Sequence, residues 1–403
     1  MAAPDAGEGA VPGPQRLVAP EETLERIRPH LAQMGITRVA NVTGLDRIGV
    51  PVVTVVRPNA RSLAVSQGKG LTLAAAKVSA IMEAAELFHA ETIGGPLWWL
   101  RPDELVGERP FLDPLELPRS ATAPAHDGPI AWVEGVDLRY GGPILVPFAA
   151  VSADYTRGTD VLSAGLCMTT GGLGAGNDRA EAVLQGLTEL VERDAVTLWR
   201  LGDRRHRAET ALDPAALAGT AAGNLLAQLA RADLRVGLWD ATSDIAVAVI
   251  VCLVVGRDAD DADPEFGAGC HPRPEVAALR AILEALQARL TFIAGSRDDM
   301  GGELYAPEAR ARRYREAERW LREPATGGGL TDGRDRPALD AAGELELALA
   351  ALSAAGVRSV AAVDLTRPEI AIPVFRVVAA GLEGPSDAPD YVPGPRARRA
   401  EAR

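Results

Sequence analysis

Apolar positions along the chain follow two rhythms. Short runs rich in Val, Ile and Leu predict strands at Thr37–Val42, Val52–Val56, Ser62–Val65, Trp132–Val136, Ile144–Val151, Leu234–Trp239, Ile245–Val255, Ser359–Val363 and Val374–Ala379. Helical spacing predicts helices over 21–34, 71–91, Asn177–Arg200, Pro214–Arg231, Pro274–Ala294, Ala306–Leu321 and Ala341–Ala354. The Ala306–Leu321 stretch is charged throughout and reads as an exposed helix. Proline punctuates residues 96–129, and Ala325–Pro337 is rich in glycine, so both read as irregular. Strands and helices mix without a clean βα alternation. The expectation is a mixed α/β (α+β) fold, with mixed sheets packed by helices, in one large domain over residues 21–382. Residues 1–20, rich in Ala, Gly and Pro, read as a disordered extension, and residues 383–403 as a Pro/Arg-rich tail.

Two of these helices pose the same electrostatic problem. In the 177–200 helix, Ala182, Val183, Leu187, Leu190, Val191, Ala195 and Leu198 cover most of the surface. Its one polar stripe holds Glu181, Gln185, Glu189 and Glu192. Asn177 or Asp178 can cap the helix, and Glu181 follows Asp178 by three residues, as in a capping box. The 71–91 helix repeats the pattern with Ser79, Glu83 and Glu86 at i, i+4 and i+7. No basic residue stands four positions from either glutamate, so an intrahelical ion pair does not account for them. Buried carboxylates need cations. Oxygen-only ligation selects a hard ion such as Mg²⁺, alone or with a phosphorylated ligand. A solvated surface face would explain the stripe of the 177–200 helix equally well if that helix stood alone. The 274–294 helix adds Arg280, Glu284, Gln287 and Arg289; an arginine aimed at a metal–phosphate site could fork onto phosphate oxygens, although an ordinary Arg280–Glu284 surface pair is the simpler reading of this helix alone. Ahead of the helices stand two glycine-rich stretches, Ser66–Gly70 (SQGKG) and Thr169–Gly176 (TTGGLGAG). Each could cradle phosphate at a helix N-terminus, with Lys69 as a point charge. Neither has P-loop or dinucleotide-fold spacing, and each taken alone reads as a tight turn.

The 403 residues carry a formal net charge of −13, which argues against non-specific nucleic-acid binding. Of the basic residues only Lys69 and Lys77 are lysines; a GC-rich coding bias accounts for that. Cys167, Cys252 and Cys270 show no paired spacing, so a reducing cytoplasm is expected. No apolar run is long enough for a membrane span, and the N-terminus lacks signal-peptide order.

Together these elements resemble the YcaO family, from Gly35 to Val378. The matching residues are Ser79-x-x-x-Glu83-x-x-Glu86 after Gly68-Lys69-Gly70, then Glu181-Ala182 through Gly186-Leu187, Glu189 and Glu192-Arg193-Asp194. A third segment is Gly267-x-Gly269-x-His271 followed by Glu284-Ala285-x-Gln287-x-Arg289. The resemblance implies ATP-dependent activation of a peptide backbone amide through phosphorylation of its oxygen, with a homodimeric protein as the family expectation. Motif matching implies that Glu83, Glu86, Glu181, Glu189 and Glu192 hold Mg²⁺–ATP, with Ser79 and Gln185 assisting. It implies phosphate contacts for Lys69, Arg193 and Arg289, and places Arg193, Gln287 and Arg289 near the chemistry. The Gly35–Val53 block resembles members that act with a TfuA-like partner and form thioamides in a ribosomal peptide or protein. Azoline formation on Cys, Ser or Thr of a precursor peptide is the alternative; the tail past Pro393-Gly394-Pro395 departs from a terminal Pro-x-Pro and weakens it. A non-catalytic peptide-binding scaffold is a third reading, and a generic Mg²⁺–nucleotide enzyme a fourth.

Overall fold

A computed structural model describes residues 17–121, 128–157, 165–257, 261, 263–297, 299–323, 327–330, 339–386, 388 and 391–401. The expected disordered extension therefore falls largely outside the described residues, as does part of the Ala325–Pro337 loop. In chain order the strands are β1 (Arg38–Asn41), β2 (Val52–Val56), β3 (Val65–Lys69), β4 (Trp98–Leu100), β5 (Ile130–Asp137), β6 (Pro143–Pro147), β7 (Leu173–Ala175), β8 (Arg235–Asp240), β9 (Ala248–Val255), β10 (Glu265–His271), β11 (Val360–Asp364) and β12 (Val374–Ala379). They form three antiparallel sheets. One is β1-β2-β3, one is β8-β9-β10, and the largest runs β4-β5-β11-β12-β7 with β6 also paired to β5. The mixed α/β expectation holds.

The central strands are apolar on both faces because helices cover both. Along β9, Val249, Val251, Leu253 and Val255 enter one core, while Ala248, Ile250, Cys252 and Val254 enter another. On β12, Phe375, Val377 and Ala379 join the first of these cores, and Val374 and Val378 join a third. This two-residue alternation fixes the register, since a one-residue slip would exchange the two faces.

Three long helices pack on these sheets: Leu73–Ala90, Arg179–Arg200 and Pro274–Ala294. They are termed here the first, second and third glutamate helices. Each follows a strand whose glycine lies directly against the helix backbone. A Cβ at Gly68 of β3 would stand 2.0 Å from the Ala80 nitrogen of the first helix. One at Gly174 of β7 would stand 2.1 Å from the Ala182 oxygen of the second, and one at Gly267 of β10 would stand 2.3 Å from the Ala281 oxygen of the third. Only glycine fits at these contacts.

This explains where the sequence reading misplaced elements. SQGKG is not a phosphate turn at a helix N-terminus but strand β3; the first helix starts later, with Thr72 Oγ1 accepting from the Ala75 N–H at 3.1 Å. The expected strand at Ser62–Val65 is displaced because Ser62 donates through its N–H and its Oγ to buried Glu91. TTGGLGAG contains β7, and β10 lies in a glycine-bearing segment with weak strand propensity.

The C-terminal segment packs against the second helix. Within Pro395–Glu401, Arg396 forms a two-pronged pair with Asp194, which is 0% exposed, and also contacts Asp244. Buried Glu383 accepts the N–H groups of Gly394, Arg396 and Ala397.

Candidate active site

The three strand–helix units aim their polar stripes at one cleft. Ser79, Glu83 and Glu86 on the first helix, and Gln185, Glu189 and Glu192 on the second, are half-buried on helices whose other faces are largely buried. Glu284 and Gln287 of the third helix continue this pattern. The close glycine contacts set the depth of each stripe. They draw strand and helix together so that strand backbone reaches the carboxylates. Gln67 of β3 hydrogen-bonds Glu83 through its backbone, and Ala268 of β10 does the same for Glu284. Ala175 of β7 donates its N–H to Glu86 Oε1 at 2.7 Å, and Gly172 donates to Glu189 Oε2 at 3.1 Å. Glu86 thus ties the first helix to the strand that leads into the second.

Cations are few. Lys69 Nζ lies 3.2 Å from Glu284 Oε2, and Arg193 lies 3.4 Å from Glu189 Oε1. Burial pushes the Glu83 carboxyl up to about 7, with Lys69 and Arg297 opposing the rise. Burial, then Glu284 and Glu189, push Glu192 up to about 8 against Arg193 and Lys69. For Glu284 burial works the same way, but Lys69 and Arg193 outweigh it and hold this carboxyl below its ordinary range. Among the described residues the cleft thus holds more carboxylates than cations. Among the described residues no three acidic, His or Cys side chains converge as a ready-made metal cage. An all-oxygen donor set of this kind fits Mg²⁺ held by one or two carboxylates together with phosphate and water.

Glu181 stands two turns before Glu189, about 12 Å along the helix. Its role here is at the helix start: Oε2 accepts from the Asn177 N–H at 2.9 Å, and Oε1 from the Leu17 N–H at 2.6 Å. Asp178 is the N-cap, accepting from the Glu181 N–H at 2.8 Å. The capping expectation holds, with the return bond going to Asn177 rather than Asp178. Arg289 is a correction. It does not face the glutamate stripes but is buried between Asp46, at 3.4 Å, and Asp261, at 2.9 Å. Two residues beyond Gln287, it lies about 200° away around the helix, on a different face. The Arg280–Glu284 surface pair is also replaced: Arg280 donates to the Cys270 carbonyl, and Glu284 takes Lys69.

Two cations escaped the sequence reading. Arg376 of β12 donates to the Ala150 and Thr169 carbonyls, has Glu189 among its charged neighbours, and leaves its buried Nη1 without a hydrogen bond. Arg297, just past the third helix, acts on Glu83. Neither belongs to a helical stripe, and only the folded chain brings them in. Beyond Glu192 and Glu284 the cleft opens into a cavity of about 400 Å³ lined also by Arg193, Phe266, Phe292 and Met300.

The fold and cleft define a nucleotide-type site built from oxygen donors on facing helices. The family model for YcaO cyclodehydratases, described as ATP- and Mg²⁺-binding, matches residues 67–383, and the chain belongs to this family. It is 35% identical to an uncharacterized protein in the tfuA 3' region of Rhizobium leguminosarum bv. trifolii, over 91% of this chain and 88% of that protein. An uncharacterized protein of Methanothermobacter thermautotrophicus is 34% identical over 93% of this chain and 97% of its own. The solved structure of YcaO from Methanopyrus kandleri, bound with AMPPCP and Mg²⁺, matches with a TM-score of 0.71 and 28% identity, covering 92% of each chain. A heterocyclase in complex with substrate and cofactor shares the fold, with a TM-score of 0.75, at 20% identity over 94% of this chain and 55% of that one. Among the described residues no helix is long and apolar enough to cross a membrane.

Proposed function

We propose that the cleft binds Mg²⁺–ATP and that the protein uses it to activate a peptide backbone amide for thioamide formation, in a ribosomal peptide or protein and with a TfuA-like partner. The observation that carries this reading is a charge deficit: half-buried Glu83, Glu86, Glu189 and Glu192 on facing helices share the cleft with Lys69 and Arg193, and burial raises the Glu83 and Glu192 carboxyls to about 7 and about 8. Divalent cations would remove that deficit. Glu83, Glu86, Glu189 and Glu192 would hold Mg²⁺; Glu181, with both oxygens engaged at the helix start, is left out of that set. Lys69 and Arg193 would contact the phosphates, and Ser79, Gln185 and Gln287 would assist by hydrogen bonds. Glu284 positions Lys69. ATP supplies the phosphoryl group that turns an amide oxygen into a departing anion. The protein's own contribution is to fix the nucleotide, neutralise charge and shield the reacting carbon from water. The apolar walls at Phe266, Phe292 and Met300 suit that last task.

Likeness to the protein from the tfuA 3' region supports thioamidation over azoline formation. The test is mass spectrometry of a candidate polypeptide incubated with the protein, ATP, Mg²⁺ and sulfide, with and without a TfuA-like protein. Sulfur-for-oxygen exchange is expected. Loss of one water instead would assign azoline formation, and ATP hydrolysis with an unmodified polypeptide would overturn both.

A further inference from the structure

The helix Pro307–Leu321 has two working faces. One carries Arg313, Glu316 and Ala317 into the cavity beside Glu192 and Glu284. The opposite face carries Arg315 and Arg319, and Arg322 follows just past the helix end in the same stripe. All three are exposed. With Arg204, Arg235 and Arg257 they line an open groove of about 730 Å³. Three carboxylates answer these arginines. Glu318 takes Arg235 and Arg322, Asp233 takes Arg257 at 2.7 Å, and Glu323 takes Arg204 at 3.2 Å. Arg315 and Arg319 have no ion-pair partner among the described residues. A coding bias toward arginine accounts for the residue type but not for this clustering on a chain of net charge −13.

We propose that this groove docks an acidic segment of the polypeptide that is modified, an inference that rests on the peptide-modifying reading of the cleft. Guanidinium forks along a helix stripe are suited to side-chain carboxylates. The groove and the cavity lie on two sides of one helix, roughly 10 Å across. The way round half of the helix is roughly 16 Å, which an extended chain covers in about five residues. A segment held in the groove therefore leaves its neighbouring residues within reach of the cleft, which favours the substrate over a separate partner. The overall negative charge opposes duplex nucleic acid and anionic membranes at long range, whereas a short peptide in the groove responds to the local field.

The experiment is fluorescence anisotropy with a labelled peptide of alternating Glu and Leu, on the full chain at low and moderate salt. Arg315→Glu/Arg319→Glu should weaken binding at least tenfold, added salt should weaken binding to the native protein, and Arg139→Glu, on the β5–β6 turn and outside the groove lining, should change nothing. The Mg²⁺–ATP thermal shift should be unaltered in the double variant, so nucleotide binding is scored separately from docking. Equal peptide affinity in the double variant and the native protein would overturn the proposal. So would tighter competition by duplex DNA or phosphatidylserine vesicles than by unlabelled acidic peptide, which would reassign the groove. Peptide binding that follows the double variant while no Mg²⁺–ATP shift occurs in any form would keep the groove and overturn the nucleotide reading alone.

Discussion

Replacing Glu192 by glutamine should make the nucleotide-free protein more stable at alkaline pH. The Glu192 carboxyl moves from an ordinary 4.5 to about 8 because burial, Glu284 and Glu189 disfavour its charge. The folded state therefore holds this proton more tightly than the unfolded chain. The native protein loses stability as pH rises from about 4.5 to about 8, and the loss levels off above that. Fully expressed, such a displacement costs roughly 4–5 kcal/mol. Glu192 keeps partial contact with solvent, so about 2 kcal/mol is the figure to expect. Glutamine cannot ionise and avoids the cost. Urea unfolding of the Glu192→Gln variant and the native protein from pH 5 to pH 9, without nucleotide, should give midpoints that differ little at pH 5 and separate with rising pH, the variant being the more stable. With Mg²⁺–ATP present at ~100 times its dissociation constant, the native protein should gain roughly 2.7 kcal/mol and the variant much less. A pH-independent difference, or a variant less stable at pH 9, would mean that the folded chain already compensates this carboxylate, and the reasoning for a cation-binding cleft would fail.

Other consequences are as direct. Lys69→Gln leaves Glu284 without its ion-pair partner; Mg²⁺–ATP affinity measured by calorimetry should fall at least tenfold while the protein stays folded. Because Glu83 and Glu192 must lose protons to bind a cation, Mg²⁺–ATP binding should release protons between pH 6 and 8 and tighten as pH rises, as read by calorimetry in buffers of different ionisation enthalpy. Arg396→Ala abandons fully buried Asp194 and should cost about 3–5 kcal/mol in urea unfolding, so truncation after Pro395 should be damaging rather than mild. Gly68→Ala places a Cβ 2.0 Å from the Ala80 nitrogen and should lower the urea midpoint markedly, with insoluble expression the extreme case.

The acidic stripes were legible because helical periodicity is a local property. The i, i+4, i+7 pattern of Ser79, Glu83 and Glu86, repeated in Gln185, Glu189 and Glu192, can be read without knowing what faces it. The apolar strands β9, β11 and β12 were legible for the same reason. What was not legible depends on partners distant in the chain. The three strands bearing close-contact glycines, β3, β7 and β10, look like turns, since glycine's local preference is for turns. Their strand character comes from the helix backbone pressed against Gly68, Gly174 and Gly267. Arg289 failed in the other direction. Motif spacing assigned it to phosphate, but on the third helix it points away from Glu284, and the carboxylates that claim it, Asp46 and Asp261, are distant in sequence.

A third helix belongs to the site because all three strand–helix units are built alike. In each unit a glycine of the strand lies against a small residue of the helix: Ala80, Gly186 or Ala281. The strand glycine facing Gly186 is Gly174, where a Cβ would stand 2.7 Å from the Gly186 nitrogen; Gly172, just ahead of the strand, also lies under Gly186. Three residues beyond each small position comes a glutamate: Glu83, Glu189 and Glu284. Three residues along a helix turn the direction by about 300°, so a residue locked face-down on the strand sets its glutamate to one side at a fixed angle. Close packing therefore does more than stabilise the sheet–helix contact. It sets the height and direction of each carboxylate, and the backbone N–H groups of Gln67, Gly172 and Ala268, in or next to the strands, then hold it there. An alanine at any of these glycines would move a helix and, with it, one wall of the cation site, so stability and nucleotide affinity should fall together in this set of variants. A glycine variant that folds normally yet loses Mg²⁺–ATP binding would show that the strand positions the carboxylate by some route other than this contact.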